Sequence, residues 1–249
     1  MRVLAAAGTF ILLLAPNALA AQTAEAPTPP FTITGGVTLA SQYRFRGISL
    51  SNENVALQGT INLNHSSGFY VGTWSSMIDG FGELGGSNLE VDLYGGYRHS
   101  VGHGITVDAG LLYYAYPGSK GGHFEFFEPY ANVSATFGPA TAKAGVNYAW
   151  SQAGIGNNSN RYVYGELSLA VPHTPVTLTS HLGNSNGDTP LTPSGNYTDW
   201  SLGATVAWHN LSLGIAYVDT NLSAAEAAQG GATKSIVDGA IVGTLSASF

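Results

Sequence analysis

From residue 32 to residue 249 the sequence divides into twelve strand-like segments joined by connections that are alternately long and short. The segments span 32–46, 54–64, 69–78, 88–98, 105–116, 124–136, 140–150, 161–171, 175–183, 197–208, 211–219 and 236–249. The short connections are His65–Gly68, His99–Gly104, Gly138–Pro139, Pro172–Thr174 and His209–Asn210. The long ones are Gly47–Glu53, Asp79–Ser87, Pro117–His123, Ser151–Asn160, Asn184–Asn196 and Thr220–Ser235. An up-and-down sheet with every second turn tight collects its tight turns at one end. An even strand count then brings both termini to that end. This is the expected pattern of an all-β protein forming a closed antiparallel up-and-down transmembrane β-barrel of 12 strands. A soluble barrel also uses hairpins, but nothing in it requires one end to be long.

The two faces of the segments differ as a lipid-facing wall requires. Val37, Leu39, Tyr43 and Phe45 oppose Thr38, Gln42, Arg44 and Arg46, and Leu89, Val91, Leu93 and Tyr97 oppose Glu90, Asp92, Tyr94 and Arg98. Val107, Ala109 and Leu111 oppose Asp108 and Gly110; Val163, Leu167 and Leu169 oppose Glu166 and Ser168; Leu202 and Val206 oppose Asp199 and Thr205. Glu125 is the exception on the outward row, near Pro129, where a bulge is expected to reset the register. Phe69, Tyr97, Phe137, Trp208 and Phe249 are expected at one rim, and Tyr43, Phe45, Tyr113, Tyr148, Trp150 and Trp200 at the other, as two aromatic belts.

Both ends of the chain support export to a membrane. Arg2, the apolar run from Val3 to Ala15 and the small-x-small triplet Ala18-Leu19-Ala20 have the form of a cleavable signal peptide over 1–20. Residues 21–31 are Pro-rich and are expected to be a disordered spacer, leaving 32–249 as a single barrel domain. The last segment alternates up to Phe249 and resembles the final strand of bacterial outer-membrane β-barrels; that resemblance implies that the terminal aromatic is part of the assembly signal read by the barrel-assembly machinery. The chain has no Cys, so stability must come from packing and ladder hydrogen bonds. Only 9% of residues are charged, against about 25% in soluble proteins. No segment after the signal is apolar over the roughly 18 residues a spanning helix needs. The net charge of −7 argues against nucleic-acid binding, which requires basic stripes.

Twelve strands about 4.8 Å apart and tilted about 40° enclose a backbone radius of roughly 12 Å, a pore for small solutes. The lumen is expected to hold Arg44, Arg46 and Arg161 against Glu90, Asp92, Glu128 and Asp199, with Glu166 also facing inward. Two readings of these charges stand: pairing that rigidifies the wall, or a transverse field at a constriction that orients polar solutes. Tyr94, Tyr114 and Tyr116 either fill space or form a stacking ledge. His65, His99, His103, His173 and His209 fall in short turns. His181 is strand-borne, with no Gly-x-Ser-x-Gly elbow to pair with, so an outer-membrane hydrolase is disfavoured and no catalytic residue is expected. No cofactor or metal spacing is present.

Ser41 to Ser49 (SQYRFRGIS), Ser66 to Trp74 (SSGFYVGTW), Glu90 to Tyr97 (EVDLYGGY) and Leu112 to Gly118 (LYYAYPG) resemble the bacterial TorF-type porin family. The resemblance covers the first half of the chain by motif and the second by strand pattern. It implies an exported barrel with a proposed porin role and supplies no substrate or catalytic residues. The resulting expectation is an outer-membrane porin in contact with the lipid bilayer. It would pass small polar solutes, neutral or weakly cation-preferring. A non-conducting structural or adhesive barrel is the alternative.

Overall fold

A computed structural model describes residues 29–249. The expected signal peptide, and all but the end of the spacer, lie outside the described residues. Fourteen strands follow: β1 (Phe31–Ala40), β2 (Arg44–Phe45), β3 (Ile48–Ser49), β4 (Ala56–His65), β5 (Phe69–Met77), β6 (Leu89–Gly102), β7 (Ile105–Ala115), β8 (Phe126–Phe137), β9 (Ala140–Ala149), β10 (Asn160–Ala170), β11 (Val176–Asn186), β12 (Asn196–Trp208), β13 (Leu211–Thr220) and β14 (Ala240–Ser248). Twelve of them form a closed barrel of antiparallel neighbours, with β1 lying between β14 and β4, while β2 and β3 form a separate hairpin. Followed once around the ring, paired residues return to β1 displaced by about 16 positions, a tilt of about 43° and a backbone radius of about 12 Å.

Large apolar side chains stand exposed around the whole circumference, and Ile33, Ile61, Leu93, Leu167, Leu182, Leu202, Ile215 and Ile241 are more than half exposed. In water such a continuous apolar belt is untenable; in hydrocarbon it is required. No helix of the described residues is long and apolar enough to cross a membrane. The connections alternate as the sequence indicates. Five short turns gather at one end. At the other end are the loops 41–55, 78–88, 116–125, 150–159, 187–195 and 221–239. His103, His173 and His209 occupy left-handed positions in short turns (φ 52°, 64° and 52°). Phe69, Tyr97, Phe137, Trp208 and Phe249 are exposed toward the short-turn end, and Phe127, Tyr148 and Trp150 toward the other.

Three local expectations are corrected. The segment 32–46 is not one strand: β1 ends at Ala40, and Tyr43 and Phe45 turn into the lumen instead of joining the aromatic belt. No bulge occurs at Pro129, which pairs in register with Leu111. The β8–β9 ladder starts only at Tyr130, because proline has no N–H to contribute. Beyond it, the Gln152 side-chain amide takes the place of a strand: its Oε1 accepts from Phe127 N at 2.8 Å and its Nε2 donates to Phe127 O at 2.8 Å. The last strand begins at Ala240, since Lys234–Val237 forms a short helix, α2, after α1 (Ala224–Gln229). Ser223 and Glu226 cap α1 reciprocally, and those hydrogen bonds from Ser223 hold the Glu226 carboxyl below its ordinary range.

The barrel closes at Phe249. It exchanges backbone hydrogen bonds with Gly35 (Gly35 N to Phe249 O 3.1 Å, Phe249 N to Gly35 O 2.9 Å). Its ring covers that glycine so closely that a Cβ on Gly35 would come within 2.7 Å of it. An aromatic ring laid over a glycine restores the contacts the missing side chain would make.

Candidate functional site

The loop after β1 does not stay at the rim. Ser41 makes the last ladder contact, donating its N–H to Gly243 O at 2.8 Å and accepting from Gly243 N on its hydroxyl at 2.9 Å. The chain then enters the lumen as the β2–β3 hairpin. Its two-residue turn, Arg46-Gly47, has φ of 48° and 84°. Positive φ at both central positions is the turn that matches strand twist. Gly47 is required by space as well. A Cβ there would lie 2.5 Å from Thr220 Cγ2 and 2.9 Å from Asp199 Cβ, so the hairpin tip abuts the β12–β13 wall. Ile48 packs with Tyr197, Leu222, Ile236 and Val237, the last two on α2. Tyr43 packs on Trp74 with ring centroids 5.2 Å apart. The hairpin is therefore held between the barrel wall and the 221–239 loop.

Arg46 anchors it. Both oxygens of Glu128 accept from Nη2, at 2.7 and 2.8 Å, and Asn160 Oδ1 accepts from Nη1 at 3.1 Å. Both partners' side chains are 0% exposed. The guanidinium also lies over the rings of Phe45 (4.7 Å) and Tyr162 (4.2 Å). Burial opposes the charge on Arg46, but the Glu128 carboxylate outweighs it and holds the guanidinium above its ordinary value. Glu128 accepts further hydrogen bonds from Tyr114 Oη (3.1 Å) and Asn147 Nδ2 (2.9 Å). Arg44 is directed elsewhere, donating to the carbonyls of Gly47 (2.8 Å) and Asp238 (2.7 Å) and so tying the hairpin to the α2 loop.

A second network lines the β9–β12 wall. Lys143 Nζ is 3.2 Å from Glu166, whose other oxygen is 3.5 Å from His181 Nδ1. His181 Nε2 is 3.1 Å from Asp199 and 2.7 Å from Tyr162 Oη, which itself donates to Asp199 at 3.0 Å. Toward the short-turn end, Arg98 pairs with Asp108 at 3.1 Å and Tyr70 donates to the same carboxylate at 2.6 Å.

The structure gathers most of the expected site residues but pairs them differently. Arg46 reaches across the lumen to Glu128; no ion pair joins Arg44 or Arg46 to Glu90 or Asp92 among the described residues. Tyr114 is buried and stacked on Phe126 at 4.3 Å, and Tyr94 donates to Asn62 Oδ1 at 2.6 Å. Arg161 is a correction: it is exposed and shares the outward row of β10 with Val163, one residue from the long-loop end of that strand. A long cationic side chain at a strand end reaches the headgroup level, so it need not point inward. Lys143, His181, Asp108 and Arg98 also belong to these networks, although the sequence alone does not single them out. Their cross-strand pairing on inward positions, Lys143 opposite Glu166 and Arg98 opposite Asp108, was the available signal.

The sequence profile of a bacterial protein family of unknown function, Gcw_chp, matches residues 24–249. No curated protein matches the chain in sequence. Among solved structures, the NanC porin is similar with a TM-score of 0.59 at 12% identity, covering 86% of this chain and 98% of that one. The KdgM porin, in complex with disordered oligogalacturonate, is similar with a TM-score of 0.57 at 8% identity, covering 87% and 98%. At these identities the likeness is one of fold.

Proposed function

We propose that this chain, which belongs to the bacterial Gcw_chp family of unknown function, is an outer-membrane channel for small polar solutes whose first long loop is its constriction. The observation that carries this reading is the β2–β3 hairpin held in the lumen by the buried Arg46–Glu128 pair. A barrel needed only as a wall has no use for a loop carried across its interior and fixed to the far wall by a buried ion pair. The motif resemblance to TorF-type porins and the export features of residues 1–20 point the same way, as does the exposed apolar belt, which fits the lipid bilayer. Phe249 at the seam fits a role as the signal for the barrel-assembly machinery.

The inward charges favour a cargo that is neutral or weakly cationic. Glu90, Asp92, Asp108, Glu128, Glu166 and Asp199 outnumber Arg44, Arg46, Arg98 and Lys143. Such a lumen disfavours an acidic sugar chain of the kind named with the KdgM porin. Reversal potentials across planar bilayers in a KCl gradient test this. Weak cation preference is expected, and clear anion selectivity refutes it. The full burial of the hairpin's anchor also favours a second reading, a barrel that never conducts. Recordings on a variant without the Arg46 guanidinium separate the two, because a structural barrel stays silent when the anchor is cut.

A further inference from the structure

Three carboxylates lie inside the packed long-loop half of the lumen: Glu90 is 1% exposed, and Asp92 and Glu128 are 0% exposed. Arg46 is engaged by Glu128. Glu90 accepts a hydrogen bond from Tyr43 Oη at 2.9 Å. Asp92 accepts none: both of its oxygens are buried without a hydrogen-bond partner. A bare carboxylate withdrawn from water is strongly unfavourable, and native structures neutralise or ligate such groups. After Arg46 is set against Glu128, Glu90 and Asp92 are left without an ion-pair partner among the described residues.

These two residues stand two apart on β6 and therefore share one inward face. Their neighbours are aromatic, several of them tyrosines whose hydroxyls are the oxygens at hand. Tyr43 bonds Glu90, and Tyr114 lies directly opposite Asp92 in the β6–β7 ladder. The chain has no thiol, and no group of three His, Asp or Glu converges as a preformed metal cage among the described residues. A soft or imidazole-seeking metal finds no ligands here. A hard cation completes its shell with hydroxyl, carbonyl and water oxygens around one or two carboxylates, and Ca2+ tolerates irregular oxygen geometry better than Mg2+. We propose that Asp92 and Glu90 form a binding site for one hard divalent cation, Ca2+ by charge balance and geometry, in the sealed half of the lumen. The site stands independently of the channel reading, since it follows from buried charge and not from conduction. Through Tyr43 the bound ion would also fasten the base of the hairpin to β6.

The test uses the full chain refolded in detergent micelles with Tb3+ as probe. Trp74 faces Asp92 across the β5–β6 ladder and Tyr43 packs on Trp74, so both rings are placed to sensitise Tb3+ emission. Saturation at one equivalent per chain is expected, with displacement by Ca2+ and with a higher Tm in CaCl2 than in EDTA. Asp92→Asn, which keeps the shape and removes the charge, is expected to weaken binding by roughly tenfold or more while still showing the heat-dependent gel mobility of a folded barrel. Trp74→Phe is expected to dim the emission and leave the Ca2+-dependent Tm shift in place. Wild-type protein without saturable emission and with the same Tm in CaCl2 and EDTA overturns the proposal, because the acids are then neutralised by protons. Binding by Asp92→Asn as tight as wild type also overturns it, because the ion then sits elsewhere.

Discussion

Replacing Arg46 with Asn tests whether the hairpin is a gate. The substitution removes a bidentate bond to Glu128, a bond to Asn160 and two ring contacts. Deleting one partner of a buried ion pair costs about 3–5 kcal/mol, most of it the penalty on the charge left behind. Glu128 keeps Tyr114 and Asn147, which places the loss at the low end, about 3 kcal/mol. Arginine at φ 48° is itself strained; asparagine tolerates that region, which returns about 1 kcal/mol. The net loss of about 2 kcal/mol from docking shifts the docked-to-open ratio roughly 30-fold. Single-channel recordings in planar bilayers should then show open events about 30-fold more often than wild type. Adding Glu128→Gln removes the orphaned charge and should return part of the docking. Conductance and open frequency unchanged in Arg46→Asn would refute the gate. A double variant as perturbed as the single would refute the orphaned charge as its cause.

Other perturbations probe the wall and the seam. Gly183→Ala should lower Tm measurably, at a cost of about 1–3 kcal/mol, because a Cβ there meets Tyr162 Oη at 2.1 Å and Asp199 Oδ2 at 2.8 Å. Urea unfolding from lipid vesicles should register Ile215→Arg as a loss of about 2–4 kcal/mol if β13 faces hydrocarbon, since Ile215 is 57% exposed on the outward row; a neutral result would place that face in water. Phe249→Ala should reduce the amount of barrel inserted in cells far more than it changes the Tm of purified, refolded protein. Equal losses in both would make the ring structural and not a signal.

The barrel was legible because its constraints are repetitive: alternation, tight turns and apolar outward rows recur in every hairpin. What the sequence concealed were departures from that repetition. Residues 37–39 and 42–46 alternate in one common register, and the break between them is only Ala40-Ser41, two small residues that either face of a strand accepts; so slight an interruption does not mark where the chain leaves the wall, and a hairpin inside the lumen alternates as a wall strand does. Arg161 was misplaced by a rule that holds at mid-membrane and lapses at a strand end. The acids Glu90, Asp92, Glu128 and Asp199 were found because inward charge on a poorly charged chain is conspicuous. Their partners were not, because the contact from Arg46 to Glu128 crosses the lumen and depends on the hairpin. The Lys143–Glu166 pair follows from register, which sequence reading leaves uncertain by a few residues.

The seam carries a kinetic consequence. The β1–β14 ladder runs only from Gly36 to Ala40, extended by Phe249 at Gly35, whereas β1 pairs with β4 along its whole length from Phe31 to Ala40. It also joins segments distant in sequence, Thr38 and Ser246 being 208 residues apart, so its closure carries the largest loop entropy in the fold. Gly35 and Ser41 donate to Phe249 and Gly243, which assigns the odd-numbered amides of β1 to the short ladder and the even-numbered ones to the long. Openings confined to the seam expose the first set and spare the second. Hydrogen exchange along this single strand should therefore alternate residue by residue, fast at Val37 and Leu39 and slow at Gly36 and Thr38.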